Sequence, residues 1–423
     1  MCIIQDEISD WEREAVRMSG VYQGSFLNIS ANAYFSPRAG LFQARSPLSV
    51  LPAAIEMDWR PRGWIRRPVA VFPRNAGIGH LQESVLSTRA WTVQERFLAG
   101  RTVHFLRHKV MWECTSLSAS ESDPSGNLED AGGWADPVRG WANLGGSLSE
   151  SWDLSRKDQW LNKWLEVQHI FTQGNLTFHT DKLMAIAGIA KYMKSVWRGD
   201  DIRYLAGLWS HRLEESLLWQ VSSKNTTTLE IADDRAPSWS WARRQGVIHV
   251  YILSPGRSTN ILVKDLEVGT NPIGDPFGPV NGGRIRLRGP ICLVKVEPGH
   301  NGADNELFLA GLPVEFTELA FDEGRPPMPE EGVLFLLGVM KMPHITGCPI
   351  SGLVLRLTHA AVGEYVRVGV WEMNDDDMSW RRSRQDEEDW YKLVQKEFNA
   401  MALEEGHFEE GNWDDMTYTI SIK

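Results

Sequence analysis

The spacing of apolar residues changes several times along the chain. Trp11, Ala15, Met18 and Tyr22 recur at intervals of four, three and four, which puts one apolar stripe on a helix. Ser9 and Glu12, at capping-box spacing, are expected to open it. Before the stripe, Met1-Cys2-Ile3-Ile4-Gln5-Asp6 reads as the end of a buried strand, and after it Ser25-Phe26-Leu27-Asn28-Ile29-Ser30-Ala31 reads as another. Strand, helix and strand in that order make a βαβ unit, which favours a parallel sheet with flanking helices. Residues 36–80, rich in Pro, Gly and Arg, read as a long connection. A helix is expected over 88–98, closed by Gly100 as the residue after its C-cap. Val103 and Phe105, then Val110, Trp112 and Cys114, alternate around Arg107-His108-Lys109 as a hairpin.

Residues 116–150 are rich in Ser, Gly, Asp and Pro and have no apolar period, so they read as a surface linker. Helical spacing returns in three stretches: 157–172 (Trp160, Leu161, Trp164, Val167), 181–195 (Leu183, Ile186, Ala187, Ala190, Met193) and 203–220 (Leu205, Leu208, Trp209, Leu213, Leu217). From about 237 the period falls to two. Pro237-Ser238-Trp239-Ser240-Trp241-Ala242 alternates, and β-type runs follow at 247–253, 261–267, 284–289, 291–296, 333–340, 352–357 and 364–371. Gly and Pro punctuate them, as in an antiparallel sandwich or barrel. The tail is acidic, with a weak amphipathic pattern between 386 and 403. The expected division is a partial α/β domain at 1–115, a linker at 116–156, a helical region at 157–235, an antiparallel β-rich module at 236–373 and an acidic tail at 374–423, mixed α+β overall.

Composition adds constraints. Nineteen tryptophans against eight tyrosines call for large buried aromatic surfaces, each indole needing one partner for its N–H. A formal charge of −11 opposes general binding to nucleic acid, which needs a basic face. The basic run from Trp59 to Arg67 reads as a solvated loop. Cys2, Cys114, Cys292 and Cys348 are far apart, without metal-ligand spacing, and are expected as free thiols in a reducing, cytoplasmic setting. No apolar run is long enough for a membrane span, and no signal peptide is recognisable.

Four ordered segments carry a family resemblance. They are Cys2-Ile3-Ile4-Gln5-Asp6 with Asp10-Trp11-Glu12-Arg13-Glu14, Met18 and Val21-Tyr22; Gly40-Leu41-Phe42 with Arg45; Arg89-Ala90-Trp91-Thr92-Val93-Gln94-Glu95-Arg96 continuing through Arg101, His104-Phe105 and Trp112-Glu113-Cys114; and Asp181-Lys182-Leu183, Gly188-Ile189, Tyr204 to Trp209 and Ala236 to Ala242. Gly352-Leu353-Val354-Leu355-Arg356 with Tyr365 extends the set. The ordered set resembles the fungal heterokaryon-incompatibility (HET) domain proteins. The family's upstream aromatic Ser-Tyr-x-Trp-Gly segment is not in this sequence, so the chain is expected to begin inside the domain.

The resemblance implies a role in non-self recognition between hyphae and in regulated cell death. It also implies a fold similar to the Toll/interleukin-1 receptor (TIR) domain, a flavodoxin-like parallel sheet that would here be incomplete. Some TIR domains cleave the nicotinamide–ribose bond of NAD with a glutamate four residues after a tryptophan, and Trp91 and Glu95 have that spacing. Glu95 is then the candidate catalytic carboxylate, with Trp91 and Asp6 binding the substrate, NAD as substrate rather than cofactor, and no metal. A carboxylate beside the ribose can stabilise the oxocarbenium-like cation left by loss of nicotinamide. The structural alternative is that Glu95 pairs with Thr92 as a capping box or with Arg89, Arg96 or Arg101. Asp6 can equally cap the helix that follows it, and His104 and Cys114 read as a satisfied histidine and a packed thiol. The competing functions are non-enzymatic self-association or docking of a protein partner, and an inactive truncated paralogue.

Overall fold

A computed structural model of the chain describes residues 7–33, 40–42, 53–59, 65–71, 81, 84–114, 117–122, 124–126, 154–197, 201–222, 234–250, 260–298, 306–309, 312–313, 316–323, 332–341, 350–373, 405–412 and 417–423. The chain divides into two compact units, one of residues 1–152, 166–177 and 184–193, the other of residues 153–165, 178–183 and 194–423.

The first unit opens with helix α1 (Ile8–Gly24). Its N-cap is Glu7, without a side-chain cap bond, so Ser9 lies inside the helix rather than at a capping box. Asp10 in the first turn supplies the negative charge that a helix N-terminus favours. Strand β1 (Asn28–Ser30) follows. The connection expected over 36–80 contains a hairpin, β2 (Ala53–Trp59) against β3 (Ile65–Val71), in which Asp58 stands opposite Arg66. The expected strand at 1–6, Asp6 included, lies outside the described residues.

Helix α2 (Trp91–Leu98) then leads into β4 (Arg101–Phe105), β5 (Val110–Cys114) and β6 (Ser118–Ser120). Gly100 does not take the left-handed conformation expected of it, because the chain leaves α2 through Ala99 in an extended conformation. The sheet runs β1-β4-β5-β6. β1 and β4 are parallel, with Ile29 opposite Val103, and α2 lies in the connection between them. The other two pairings are antiparallel, so this sheet is mixed. β1 was expected to be buried. Instead Phe26 is 81% and Ile29 57% exposed beside and within it, and among the described residues it stands at the end of the sheet.

Residues 166–177 and 184–193, from helices α3 (Leu154–Gln173) and α4 (Lys182–Val196), complete the unit. Ala185, Ile186, Ala187, Ile189, Ala190 and Met193 are all buried, so α4 is apolar on nearly every side, as a central helix should be. Gly188 lets it approach closely. A Cβ there would meet Gln94 Oε1 at 2.5 Å and Ser19 Cβ at 2.7 Å. Alanine gains about 1 kcal/mol of helix propensity over glycine, but overpacking costs about 1–3 kcal/mol. Gly188→Ala should therefore lower the denaturant midpoint of the first unit, and an unchanged or higher midpoint would show that the contact is slack.

In the second unit the stretch 203–220, expected as a helix, is broken. Its elements are β7 (Tyr204–Leu205), β8 (Leu208–Trp209), the one-turn α5 (Leu213–Ser216) and the start of β9 (Gln220–Val221). The break is at Ala206-Gly207, with φ of 47° and 98°, a conformation no helix interior holds. The Gly207 carbonyl accepts both the Trp164 indole N–H at 3.1 Å and that of Trp241 at 2.9 Å. Leu205, Leu208, Trp209, Leu213 and Leu217 are all buried, because both sides of this segment face the core. Residues 237–242 are likewise a turn and a 3-10 segment (Trp241–Arg243), not a strand. Trp239 and Trp241 are nonetheless fully buried.

The remaining strands are β10 (Ile248–His249), β11 (Asn260–Ile261), β12 (Lys264–Pro272), β13 (Val280–Gly289), β14 (Ile291–Glu297), β15 (Glu306–Leu309), β16 (Leu312–Pro313), β17 (Glu318–Phe321), β18 (Val333–Lys341), β19 (Ile350–Leu357), β20 (Glu364–Met373), β21 (Glu410–Asn412) and β22 (Thr417–Ile422). Apart from β10, which pairs with β9, they join one sheet whose main path is β12-β13-β22-β20-β19-β18-β14-β15-β16. Alternate residues Cys292, Val294, Val296, Leu334 and Leu336 pack into a core with Val354, Val368 and Trp371. Strand β22, within the acidic tail, is inserted between β13 and β20 and runs parallel to β20. The expected helix at 386–403 lies outside the described residues.

The chain is thus mixed α and β, with few helices and a β-rich C-terminal region. No helix among the described residues is long and apolar enough to cross a membrane. Cys114 and Cys292 are free thiols, and Cys2 and Cys348 lie outside the described residues.

Candidate functional site

Helix α2 has only eight residues, too few to hold itself in water, so its neighbours must fix it. Residues before it form a 3-10 turn at Leu86–Thr88. Arg89 then makes an isolated parallel bridge with Asn175, whose N–H donates to the Thr88 carbonyl at 2.6 Å. The Ala90 N–H returns a bond to the Asn175 carbonyl at 3.1 Å. Gln94, buried, accepts the Gly188 N–H at 2.7 Å through Oε1, and Phe97 meets the Tyr192 ring edge-on with centroids 5.7 Å apart.

On the opposite flank, Arg96 Nε donates to Glu113 Oε2 at 2.9 Å and Nη2 donates to Oε1. Glu113 also faces His104 Nε2 at 2.7 Å, and His104 Nδ1 faces Asn32 Oδ1 at 3.2 Å. Asn32 Nδ2 in turn donates to Ser84 Oγ at 2.9 Å. Glu113, His104 and Asn32 are buried. Burial works against the charged carboxylate, but Arg96 and His104 together hold the Glu113 carboxyl well below its ordinary range. His104 is therefore a satisfied histidine rather than half of a nucleophilic pair. Cys114 stands opposite Arg101 in the ladder, not opposite His104.

These anchors leave Trp91 and Glu95, one helical turn apart, half-buried on another side of α2. Glu95 does not complete a capping box. Thr92 lies inside the helix, and its hydroxyl donates to the carbonyls of Leu86 at 2.8 Å and Arg89 at 2.7 Å. Nor is Arg96 its partner. The groups that act electrostatically on the Glu95 carboxylate are instead the Tyr22 phenol, from α1, and the Arg89 charge. Burial pushes the Glu95 carboxyl above its ordinary range, and Tyr22 and Arg89 pull it back. Burial also raises the Tyr22 phenol, reinforced by the neighbouring Glu95, so it stays protonated.

Trp91 and Glu95, expected one turn apart on a helix, both lie in α2, and Asp6 lies outside the described residues. Glu14, the other acid in a family-like position, is occupied by Arg13 at 3.3 Å and Arg17 at 3.2 Å on its own helix. Tyr22 was legible only as part of an apolar stripe, and nothing in its spacing tied it to Glu95. The Glu113 network had no signal beyond the charge of its members. Lys182, in the second unit, is a buried structural cation. Its ammonium donates to the Arg244 carbonyl, and burial pushes it down to about 7. No group of His, Cys, Asp and Glu among the described residues could hold a metal ion.

A half-buried carboxylate one helical turn from an aromatic side chain can accept hydrogen bonds from a polar ligand or stabilise positive charge beside it. Residues 1–95 match the model of the family described as heterokaryon incompatibility protein (HET), a match that ends at Glu95 itself. No curated protein and no solved structure matched the chain.

Proposed function

We propose that this chain, a HET-domain protein by the match of its residues 1–95, is a cell-death effector of fungal non-self recognition that cleaves NAD. A heterokaryon-incompatibility-related role follows from the family. The mechanism is our reading, and one observation carries it: Glu95 lies half-buried one helical turn from Trp91 and is not spent on a helix cap, since the Thr92 hydroxyl bonds back to Leu86 and Arg89 instead. The parallel β1–α2–β4 crossover is the kind of unit a TIR-like sheet is built from, which supports placing a ligand group on α2.

In the reaction the bond between the nicotinamide nitrogen and ribose C1′ breaks, and its electron pair leaves with nicotinamide. Water adds its oxygen to C1′ and releases one proton, giving ADP-ribose. Ionised Glu95 stabilises the developing ribosyl cation and accepts that proton. Trp91 supplies a flat wall one helical turn away.

The test is release of nicotinamide from NAD by the purified full chain. Glu95→Gln should lower the rate by about 10²–10³-fold, the usual effect of removing one preorganised electrostatic group. Equal rates in the two proteins would end the enzymatic reading. Self-association or partner docking is the second reading, favoured by the exposure of Phe26 (81%), Ile29 (57%) and Phe42 (84%) in the same unit. Cell death that persists unchanged in Glu95→Gln would favour it.

A further inference from the structure

We infer that the second unit binds a phosphate group between Arg244 and Arg367, with Asp322 accepting the hydroxyl of the monoprotonated ion. This site shares no residue with Trp91 and Glu95. Arg367 stands on β20, and Asp322 follows β17, the strand paired with it. The Asp322 N–H donates to the Val368 carbonyl at 2.8 Å, which fixes the carboxylate beside β20. Arg367 Nη2 donates to Asp322 Oδ1 at 3.0 Å and to the Trp219 carbonyl, and the guanidinium lies 3.2 Å from the centre of the Trp219 ring. Arg244 follows the 3-10 segment at Trp241–Arg243, and its Nη2 donates to Glu323 Oε1 at 3.1 Å. Asp322 and Glu323 are successive residues, so they bring both guanidiniums to one end of β17. The Arg244 charge accordingly acts on Asp322 and on Arg367 alike.

Both arginines are more than nine-tenths buried. Yet Nε and Nη1 of Arg244, Nε and Nη1 of Arg367 and Oδ2 of Asp322 have no hydrogen-bond partner among the described residues. A buried donor without an acceptor loses its hydration and recovers nothing for it. Charge is unbalanced as well. Lys182, whose ammonium donates to the Arg244 carbonyl, adds a third buried cation, and Asp322 is the buried acid set against them. Glu323, 52% exposed, marks the side on which the cluster meets solvent.

The donors and the acceptor together define the ligand. Guanidinium forks match the oxygens of a tetrahedral oxyanion. Asp322 Oδ2 would repel an anion that carried no proton. Phosphate keeps a proton at neutral pH, so its hydroxyl can donate to Oδ2 while its other oxygens accept from the arginines. Sulfate is fully deprotonated and has no hydroxyl to offer.

Isothermal titration of the full chain with inorganic phosphate tests the site. Sulfate at matched ionic strength should bind about 10-fold more weakly or worse, the cost of leaving a buried acceptor unpaired. Phosphate carried through purification is detected by phosphorus-31 resonance after denaturation. Arg244→Gln should weaken phosphate binding by about 10–100-fold, the loss of a charge-assisted hydrogen bond. Should that variant not fold, Asp322→Leu combined with Arg367→Met removes the other half of the site. Glycerol phosphate presents the same group on an ester. Its binding alongside phosphate makes a monoester the ligand, and binding of inorganic phosphate alone makes it the free ion. The inference is overturned if phosphate is neither taken up nor released on denaturation, if sulfate binds equally, or if the folded variants bind as the wild type does.

Discussion

Glu113→Ala is expected to destabilise the first unit by about 3–5 kcal/mol, the cost of removing one partner from a buried ion pair. The side chain of Glu113 is fully buried and that of Arg96 is 16% exposed, so solvent can do little to screen the loss. Truncation removes the carboxylate that both the Arg96 guanidinium and the His104 ring face, and His104 is itself 1% exposed. Desolvation of those groups, more than any lost attraction, sets the size of the effect.

The acid dependence follows from the same arrangement. The folded pKa of Glu113 is depressed below its unfolded value. Its contribution is therefore complete above the unfolded carboxylate range and is lost as pH falls through the folded value. Denaturant unfolding of the full chain across acid pH should show this limb in the wild type and not in the variant. A loss below about 1 kcal/mol at neutral pH would mean that the network relaxes or admits water. Since Arg96 adjoins Glu95 in α2, the variant should also lose whatever activity Glu95 supports.

The second large effect lies in the β-rich unit. Asp322→Ala should cost about 3–5 kcal/mol, whereas Asp322→Leu combined with Arg367→Met should be near neutral or stabilising. Arg367 Nη2 donates to Asp322 Oδ1 at 3.0 Å, and both side chains are almost completely buried. The guanidinium also lies 3.2 Å from the centre of the Trp219 ring. The pair is incompletely satisfied: Arg367 Nε and Nη1 and Asp322 Oδ2 are buried without a hydrogen-bond partner. Burial pushes the Arg367 guanidinium down to about 10 despite the neighbouring carboxylate. A pair that recovers so little of its desolvation is one that apolar residues of similar volume can replace. Thermal unfolding of the single and double variants decides the matter, and a double variant as unstable as Asp322→Ala would refute the argument.

The sequence revealed much of the architecture and less of the site. Period-two runs at 284–289, 291–296, 333–340, 352–357 and 364–371 all became strands, because the face of the sheet they line is buried. The helices near 157–172 and 181–195 were legible for the same reason. Residues 203–220 misled, since a segment buried on both sides also places Leu205, Leu208, Trp209, Leu213 and Leu217 at helix-like intervals. The informative residue there was Gly207, whose φ of 98° and crowding against Trp241 admit no helix. Strand β22 was hidden because the sheet draws it from a distant part of the chain.

At the site, Trp91 and Glu95 were legible because helical spacing is local. Tyr22 was not, because pairing between α1 and α2 is tertiary and a tyrosine in an apolar stripe looks like core. The same limit concealed Asn32 and Glu113 as the partners of His104, which lie on separate strands or loops.

The bridge between Arg89 and Asn175 has a consequence for synthesis. The stretch that carries the candidate carboxylate leaves the ribosome about 80 residues before the segment that clamps it. At roughly 5–20 residues per second, that gap lasts on the order of 4–16 s. During it, α2 is a helix of eight residues without its clamp or the Gly188 contact, and on its own it would be largely melted. The nascent chain therefore carries the family-matched residues 1–95 without the means to shape their last turn. Grafting those residues onto another protein should transfer the motif and not the site.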